Sequence, residues 1–354
     1  MNTASETTIS INGRKIGAGH PVYIIAELSA NHRQHFDEAV KLIHAAREAG
    51  ADAVKLQTYT ADTLTINCDS ELFRLGANSA WAGRTLYELY QEAFTPWDWQ
   101  PKLKQIADDL GIDLFSTPFD PSAVDFLETM GIPAHKIASF EIVDLPLIQR
   151  IAATGKPMIL STGMATLSEI DQAVTSARKA GATQIALLKC TSAYPASPES
   201  MNLRTIPHLA KTFSLPCGLS DHTLGIAVPV AAVVLGACIV EKHFTLSRGN
   251  NSADSAFSLE PHEFKTMATE IRTAEKAMGN VCIYPSAEEM ESRNHRRSLF
   301  AVADIHTGDI FTSDNVRSIR PGHGLHPQYL SLIIGKQART DIRKGTPLSW
   351  NHLL

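Results

Sequence analysis

Eight short apolar runs, each followed by a stretch of helical spacing, fill the sequence from residue 22 to about residue 279. They are VYIIAEL (22–28), AVKLQT (53–58), DLFSTP (113–118), AHKIAS (134–139), PMILST (157–162), QIALLKC (184–190), PCGLSDH (216–222) and CIVEKHF (238–244). Between them lie segments such as FDEAVKLIHAAREAG and LSEIDQAVTSARKAG, whose apolar residues fall three and four apart, on one face of an α-helix. Several of these end in glycine (Gly50, Gly111, Gly181), which accepts the left-handed backbone of a helix C-cap. Eight strand–helix units in about 250 residues predict a (β/α)8 (TIM) barrel. The alternative is an open doubly wound sheet. No GxGxxG follows the first run, which removes the usual dinucleotide reading of that alternative.

The flanks have their own character. Residues 8–17 carry Asn-Gly between short strand-like runs and predict a hairpin that plugs the N-terminal mouth of the barrel. The connection between the second and third runs is the longest, LTINCDSELFRLGANSAWAGRTLYELYQ, and residues 59–85 are expected to act as a functional loop or lid. Past Gly279 the pattern changes: 1–279 is the hairpin and barrel, 280–297 a polar linker, 298–354 a small β-rich domain. That last part holds a weak echo, ADIHTGDIFTSDNV and TDIRKGTPLSWNHL, expected to form two similar halves. A domain so small has a thin core and gains from docking on a partner.

Composition narrows the class. A hydrophobic fraction of 44 % and a charged fraction of 19 % fit a globular protein and exclude a disordered chain. The net charge of −5, with no basic block, argues against nucleic acid or an anionic membrane surface as partner. The polar N-terminus and the lack of an apolar run of about 20 residues predict a cytoplasmic protein. Five scattered cysteines without a CxxC pair predict reduced thiols rather than a disulfide framework or a zinc site.

In such a barrel the reacting groups sit at the C-terminal ends of the strands. Nearly every run here ends in polar residues: Glu27; Lys55 and Gln57; Ser116 and Thr117; Lys136, Ser139 and Glu141; Thr162; Lys189, Thr191 and Ser192; Ser220 and His222; Glu241 and His243. Strand alternation places Ser220 with His222, and Glu241 with His243, on shared faces. If those faces point inward, two imidazoles project into one mouth. They could hold an octahedral divalent ion such as Mn²⁺, or act as a hydrogen-bonded pair of one general base and one spectator. The lysines could bind an anion or form a Schiff base. Hydroxyls around Lys55 and Lys136 favour the anion.

The ordered motifs IAELSANH, KLQTYTADTLT, FSTPFD, KIASFE, STGMAT, KCTSAYP, GLSDHT and EKHF resemble those of the sialic acid synthases, and IRPGHGLHP with DIRKG resembles their antifreeze-like (SAF) domain. The resemblance spans essentially the whole chain. LSANH, QTYTADTLT and Ser192 of KCTSAYP are most similar to the pseudaminate-forming branch; the neuraminate-forming branch usually has Asn in place of Ser192. The resemblance implies condensation of phosphoenolpyruvate with an N-acetylated aldehyde sugar to a nine-carbon 2-keto acid. It implies that Lys55, Thr117, Lys136, Ser139, Ser192 and Ser220 bind phosphoenolpyruvate, that His222 and His243 bind the metal (Mn²⁺, with Mg²⁺ or Co²⁺ as alternatives), and that Glu27 sits beside the reacting centre, which makes it the catalytic candidate for the base that activates water. It places Gln57, Tyr194 and Asp254 on the sugar, with Glu141 and Glu241 near it. Arg320 would reach the partner's barrel in a domain-swapped homodimer.

Overall fold

A computed structural model describes residues 7–76 and 81–354. The chain divides into two compact units, one ending at Gly279 and one running from Asn280 to Leu354. In the first, β1 (Thr8–Ile11) and β2 (Arg14–Gly17) form an antiparallel hairpin. Its turn residues Asn12 and Gly13 take φ of 47° and 78°, the left-handed backbone that an Asn-Gly turn supplies at least cost.

Eight parallel strands follow: β3 (Tyr23–Glu27), β4 (Ala53–Thr58), β5 (Asp113–Pro118), β6 (His135–Ile137), β7 (Met158–Ser161), β8 (Ile185–Cys190), β9 (Cys217–Asp221) and β10 (Ile239–His243). Each pairs with the next, and β10 closes on β3, completing the barrel. The expected (β/α)8 architecture is therefore the one observed. Alternation divides the strand side chains into two sets. Ile25, Ala53, Phe115, Ile159, Leu188 and Ile239 fill the barrel interior, where Ile9, Ile11 and Ile16 of the hairpin join them. The expected plug at the N-terminal end is present. Outward residues such as Leu114, Leu160, Leu187 and Val240 pack against the helices.

The helices are locally encoded. Leu167–Lys179 starts at Thr166, whose hydroxyl accepts from the Glu169 N–H while Glu169 reaches back, a reciprocal cap worth about 1 kcal/mol. Leu86–Ala93 begins in the same way at Thr85 and Glu88. The long connection between β4 and β5 holds this helix and Gln100–Asp109; the part of the expected lid at residues 77–80 lies outside the described residues. No helix among the described residues is long and apolar enough to cross a membrane.

In the second unit β11 (Ser298–Ala301) and β12 (Val316–Ile319) pair antiparallel around a small core of Leu299, Ile305, Phe311, Ile333 and Ile342. The sequence echo is physical. Ile305 and Ile342 exchange backbone hydrogen bonds of 2.9 and 2.8 Å. Lys344 donates its N–H to Asp304 at 2.7 Å, and Thr307 donates its N–H to Asp341 at 2.8 Å. The two Asp-Ile-x-x-Gly segments thus cap each other reciprocally. The stretch expected as a plain linker contains a capped helix, Ala287–Ser292, and one 3-10 turn, Arg293–His295. Ser286 and Glu289 form its cap, a signal present in the sequence but hidden among the charges.

Candidate active site

The inward ends of the strands bring six of the expected residues into one buried cluster. Glu27 on β3 and Lys55 on β4 form an ion pair with side chains 1 % and 4 % exposed. Lys55 Nζ also donates to Thr117 Oγ1 at 3.2 Å and stands 4.0 Å from Glu241. Lys136 Nζ lies 3.8 Å from Glu241 and donates to Ser161 Oγ at 2.6 Å. Ser220 Oγ donates to the other side of this set, Glu241 Oε1, at 2.9 Å. Glu27 Oε1 accepts the Ser29 N–H at 3.0 Å.

Buried charges are costly unless paired, and their proton affinities show the strain. Burial pushes Glu27 up to about 7, against the pull of the Lys55 ammonium. Glu241 is also buried, but Lys136 and Lys55 together hold it below the usual carboxylate range. Burial pushes Lys136 down, while Glu241 and Glu27 outweigh the burial of Lys55 and hold it up. When Glu27 takes a proton, two ammonium groups face one carboxylate. The cluster is then a cationic pocket walled by hydroxyls, suited to an anionic ligand.

Above it, Ser139 and Ser192 hydroxyls meet at 2.7 Å. Gly163, just past β7 with φ of 42°, lies under them. A Cβ there would come within 2.3 Å of Ser139 Cβ and 2.7 Å of Ser192 Oγ. The missing side chain therefore keeps this hydroxyl cradle open. Gly163→Ala is expected to raise the KM for the anionic substrate by about 10-fold or more, the cost of overpacking by one methyl group. Steady-state kinetics checks it; an unchanged KM would separate the cradle from the ligand.

His222 and His243 stand side by side at the tops of β9 and β10, with ring centroids 5.3 Å apart. His222 Nδ1 donates to the Thr191 carbonyl at 2.9 Å, which leaves Nε2 as the free ring nitrogen. Among the described residues His243 Nδ1 is buried without a hydrogen-bond partner, 3.9 Å from an Asp254 carboxylate oxygen. Burial, with His222 and the lysines nearby, pushes His243 well below its ordinary value, in favour of the neutral imidazole. Despite burial, His222 is held above its ordinary value by Cys190 and the Thr191 carbonyl. Two adjacent imidazoles, one with an orphaned buried nitrogen, fit a divalent cation that completes its shell with water and substrate oxygens. Among the described residues no group of three or more His, Cys, Asp or Glu forms an all-protein metal cage.

The mouth opens into a cavity of about 390 Å³. Gln57, Glu141, Tyr194, His243 and Asp254 line it, as does Ser29, which hydrogen-bonds Asp254. Burial pushes Glu141 up to about 7. The opposite wall is apolar: Leu64, Leu75, Leu86, Leu89, Tyr90 and Phe119. Most of that wall comes from the long connection after β4.

Not every expected residue joins the site. Lys189 follows the inward Leu188 and faces away, binding the Cys190 carbonyl and the Thr191 hydroxyl. Ser116 faces outward to Thr58 at 2.6 Å, and Thr162 donates to the Leu188 carbonyl. Strand alternation, applied to each run, separates these from their inward neighbours. The same count finds residues overlooked at strand ends: Ser161 on Lys136, and Cys190, whose sulfur is 3.9 Å from His222 Nδ1. Arg320 belongs to the second unit, exposed in the loop after β12.

A family model described as the NeuB family matches residues 42–282, and an SAF domain model matches residues 296–354. The chain belongs to the NeuB family. The resemblance to sialic acid synthases read from the motifs is thereby borne out. Among relatives of this NeuB-family chain, the pseudaminic acid synthase of Campylobacter jejuni (strain 81-176) is 44 % identical over 92 % of this chain and 95 % of its own length. The pseudaminic acid synthase of Helicobacter pylori is 42 % identical, over 93 % of this chain and 97 % of its own length. The crystal structure of an N-acetylneuraminic acid synthetase from Leptospira borgpetersenii, in complex with citrate, superposes with a TM-score of 0.71 at 34 % identity. It covers 81 % of this chain, and 95 % of that chain is matched.

Proposed function

We propose that this chain is a pseudaminic acid synthase. It condenses phosphoenolpyruvate with 2,4-diacetamido-2,4,6-trideoxy-L-altrose and water, giving pseudaminic acid and phosphate. The observation that carries this reading is the juxtaposition in one barrel mouth: a buried cluster of two lysines and two glutamates, two adjacent imidazoles, and a cavity with an apolar wall. The identity to two pseudaminic acid synthases supports the choice of product. A deoxygenated sugar bearing two acetamido methyl groups offers apolar surface to Leu64, Leu75, Leu86 and Leu89, where a fully hydroxylated sugar would lose hydration.

In this reading Lys55, Lys136, Thr117 and Ser220 hold one anionic end of phosphoenolpyruvate, and Ser139 and Ser192 the other. His222 and His243 hold a divalent cation, Mn²⁺ foremost, which when bound supplies Lewis-acid polarisation of a carbonyl oxygen. Gln57, Tyr194, Glu141 and Asp254 orient the sugar in the cavity. C3 of phosphoenolpyruvate attacks the aldehyde carbon, whose oxygen takes a proton and becomes a hydroxyl. Positive charge develops at C2, beside the carboxylates of Glu27 and Glu241. Glu27 removes a proton from the water that adds at C2. The tetrahedral intermediate collapses as the C2–O bond to phosphate breaks; the C2 hydroxyl passes its proton to the leaving phosphate, and the 2-keto group forms. Two substrates held in contact in one mouth supply much of the acceleration.

The same reading includes a cytoplasmic location and a domain-swapped homodimer, with Arg320 reaching the barrel of a second copy. The test is phosphate release from phosphoenolpyruvate with Mn²⁺ or with EDTA, combined with borohydride treatment in the presence of a keto acid. Metal-dependent release without a trapped adduct is expected. A covalent adduct on Lys55 or Lys136 would instead favour a Schiff-base aldolase. Absence of turnover with every aldehyde would favour a sugar-binding protein.

A further inference from the structure

Asp221 and Lys242 each precede one of the two histidines by a single residue. Strand alternation therefore turns them to the opposite face, into the layer between strands and helices. Their neighbours on that face are apolar: Leu219, Val240 and Phe244 are completely buried. The side chains of Asp221 and Lys242 are themselves 0 % exposed. The two are register partners on β9 and β10.

Their hydrogen bonds form one closed set. Lys242 Nζ donates to Asp221 Oδ2 at 2.5 Å and to the Thr223 carbonyl. Asp221 Oδ1 accepts the Thr223 N–H at 3.0 Å, and Oδ2 accepts the Thr223 hydroxyl at 3.0 Å. The chain on both sides of His222 is thus pinned to one carboxylate, and that carboxylate is tied to the residue before His243. The Thr191 carbonyl fixes the rotation of the His222 ring. Among the described residues His243 Nδ1 has no such hydrogen bond; its ring packs on Phe257 and His222 and stands on the backbone that Lys242 holds from the opposite face.

A buried ion pair in an apolar layer contributes little net stability, because desolvation offsets the attraction. Apolar residues of similar volume would fill the same space. We propose that Asp221, Lys242 and Thr223 are positioning residues that set the separation and aim of His222 and His243 for a divalent cation. This inference rests on the reading that the two imidazoles hold such an ion. It assigns the pair a role in metal affinity beyond holding Thr223 in place.

The experiment is Mn²⁺ binding to the purified full chain, read from the electron paramagnetic resonance signal of the free ion, with Tm measured in parallel. The double variant Asp221→Leu with Lys242→Met removes both charges together, so neither is left buried without its counter-ion, while the buried Thr223 loses its bonds to both. It is expected to stay folded, with a Tm lowered by the bonds that Thr223 loses, and to lose about 10- to 100-fold in Mn²⁺ affinity. Lys242→Arg, which keeps a cation, should retain more affinity than Lys242→Met. Thr223→Val removes one hydroxyl alone and should weaken binding by a smaller factor. A folded double variant with wild-type Mn²⁺ affinity overturns the proposal and leaves the cation reading standing. If the double variant does not fold, wild-type affinity in Thr223→Val overturns it. Wild-type protein that binds no Mn²⁺ overturns both.

Discussion

Glu27→Gln is expected to lower kcat by about 10²- to 10⁴-fold, the usual contribution of a positioned general base. The substitution keeps the size of the side chain and the oxygen that accepts the Ser29 N–H. It removes the proton-accepting charge and, with it, the carboxylate oxygen paired with Lys55. Lys55 still has Thr117 and, 4.0 Å away, Glu241. The KM for phosphoenolpyruvate should therefore change much less than kcat. The pH profile gives a second readout. Burial lifts Glu27 to about 7, so its basic form fills as pH rises through that value. Wild-type kcat should climb across pH 7 and level off above it, and the residual rate of the Gln variant should lack that step. A kcat within a few-fold of wild type would assign the base to another group.

His222→Ala and His243→Ala are each expected to abolish metal-dependent turnover. Losing a group that merely supports a metal ligand costs about 10- to 100-fold in affinity, and losing a ligand outright costs more. The proposed site takes two nitrogens from the described residues, so neither imidazole can be spared. Titration of Mn²⁺ into each variant checks the claim apart from catalysis. Full activity in both single variants would remove the metal from these residues. Loss of activity in one alone, with Mn²⁺ affinity retained, would favour the general-base reading of the pair.

The barrel was legible because each strand–helix unit carries its own signals: an apolar run, a helical period, a capping Thr or a terminal glycine. The observed strands β4 and β5 coincide with the runs AVKLQT and DLFSTP. The cluster Glu27–Lys55–Glu241–Lys136 was legible for a different reason. Charged residues inside apolar runs contradict local propensity, and such conflicts gather at functional sites. Direction was harder to read. Lys189 and Lys136 both sit near strand ends, and only the inward position of Leu188 shows that Lys189 turns away. Gly163 left no signal in composition; its role emerges from the space that Ser139 and Ser192 share above it. The apolar wall of the cavity comes from residues far apart in a long connection, Leu64, Leu75 and Leu89, whose convergence depends on tertiary packing. The Asp221–Lys242 pair was visible as two charges in SDHT and EKHF, but its partnership required the register of two strands 21 residues apart.

Phosphate release from phosphoenolpyruvate with Mn²⁺ tests the assigned reaction most directly. The purified chain would be offered 2,4-diacetamido-2,4,6-trideoxy-L-altrose, N-acetylmannosamine or the 6-deoxy-mannose diacetamido analogue in separate runs. Metal-dependent release with the altrose sugar alone is the predicted result. Preference for N-acetylmannosamine would contradict the product and the part given to the apolar wall, pointing to neuraminate. Preference for the mannose analogue would point to legionaminate, and silence with all three would contradict the assigned reaction itself.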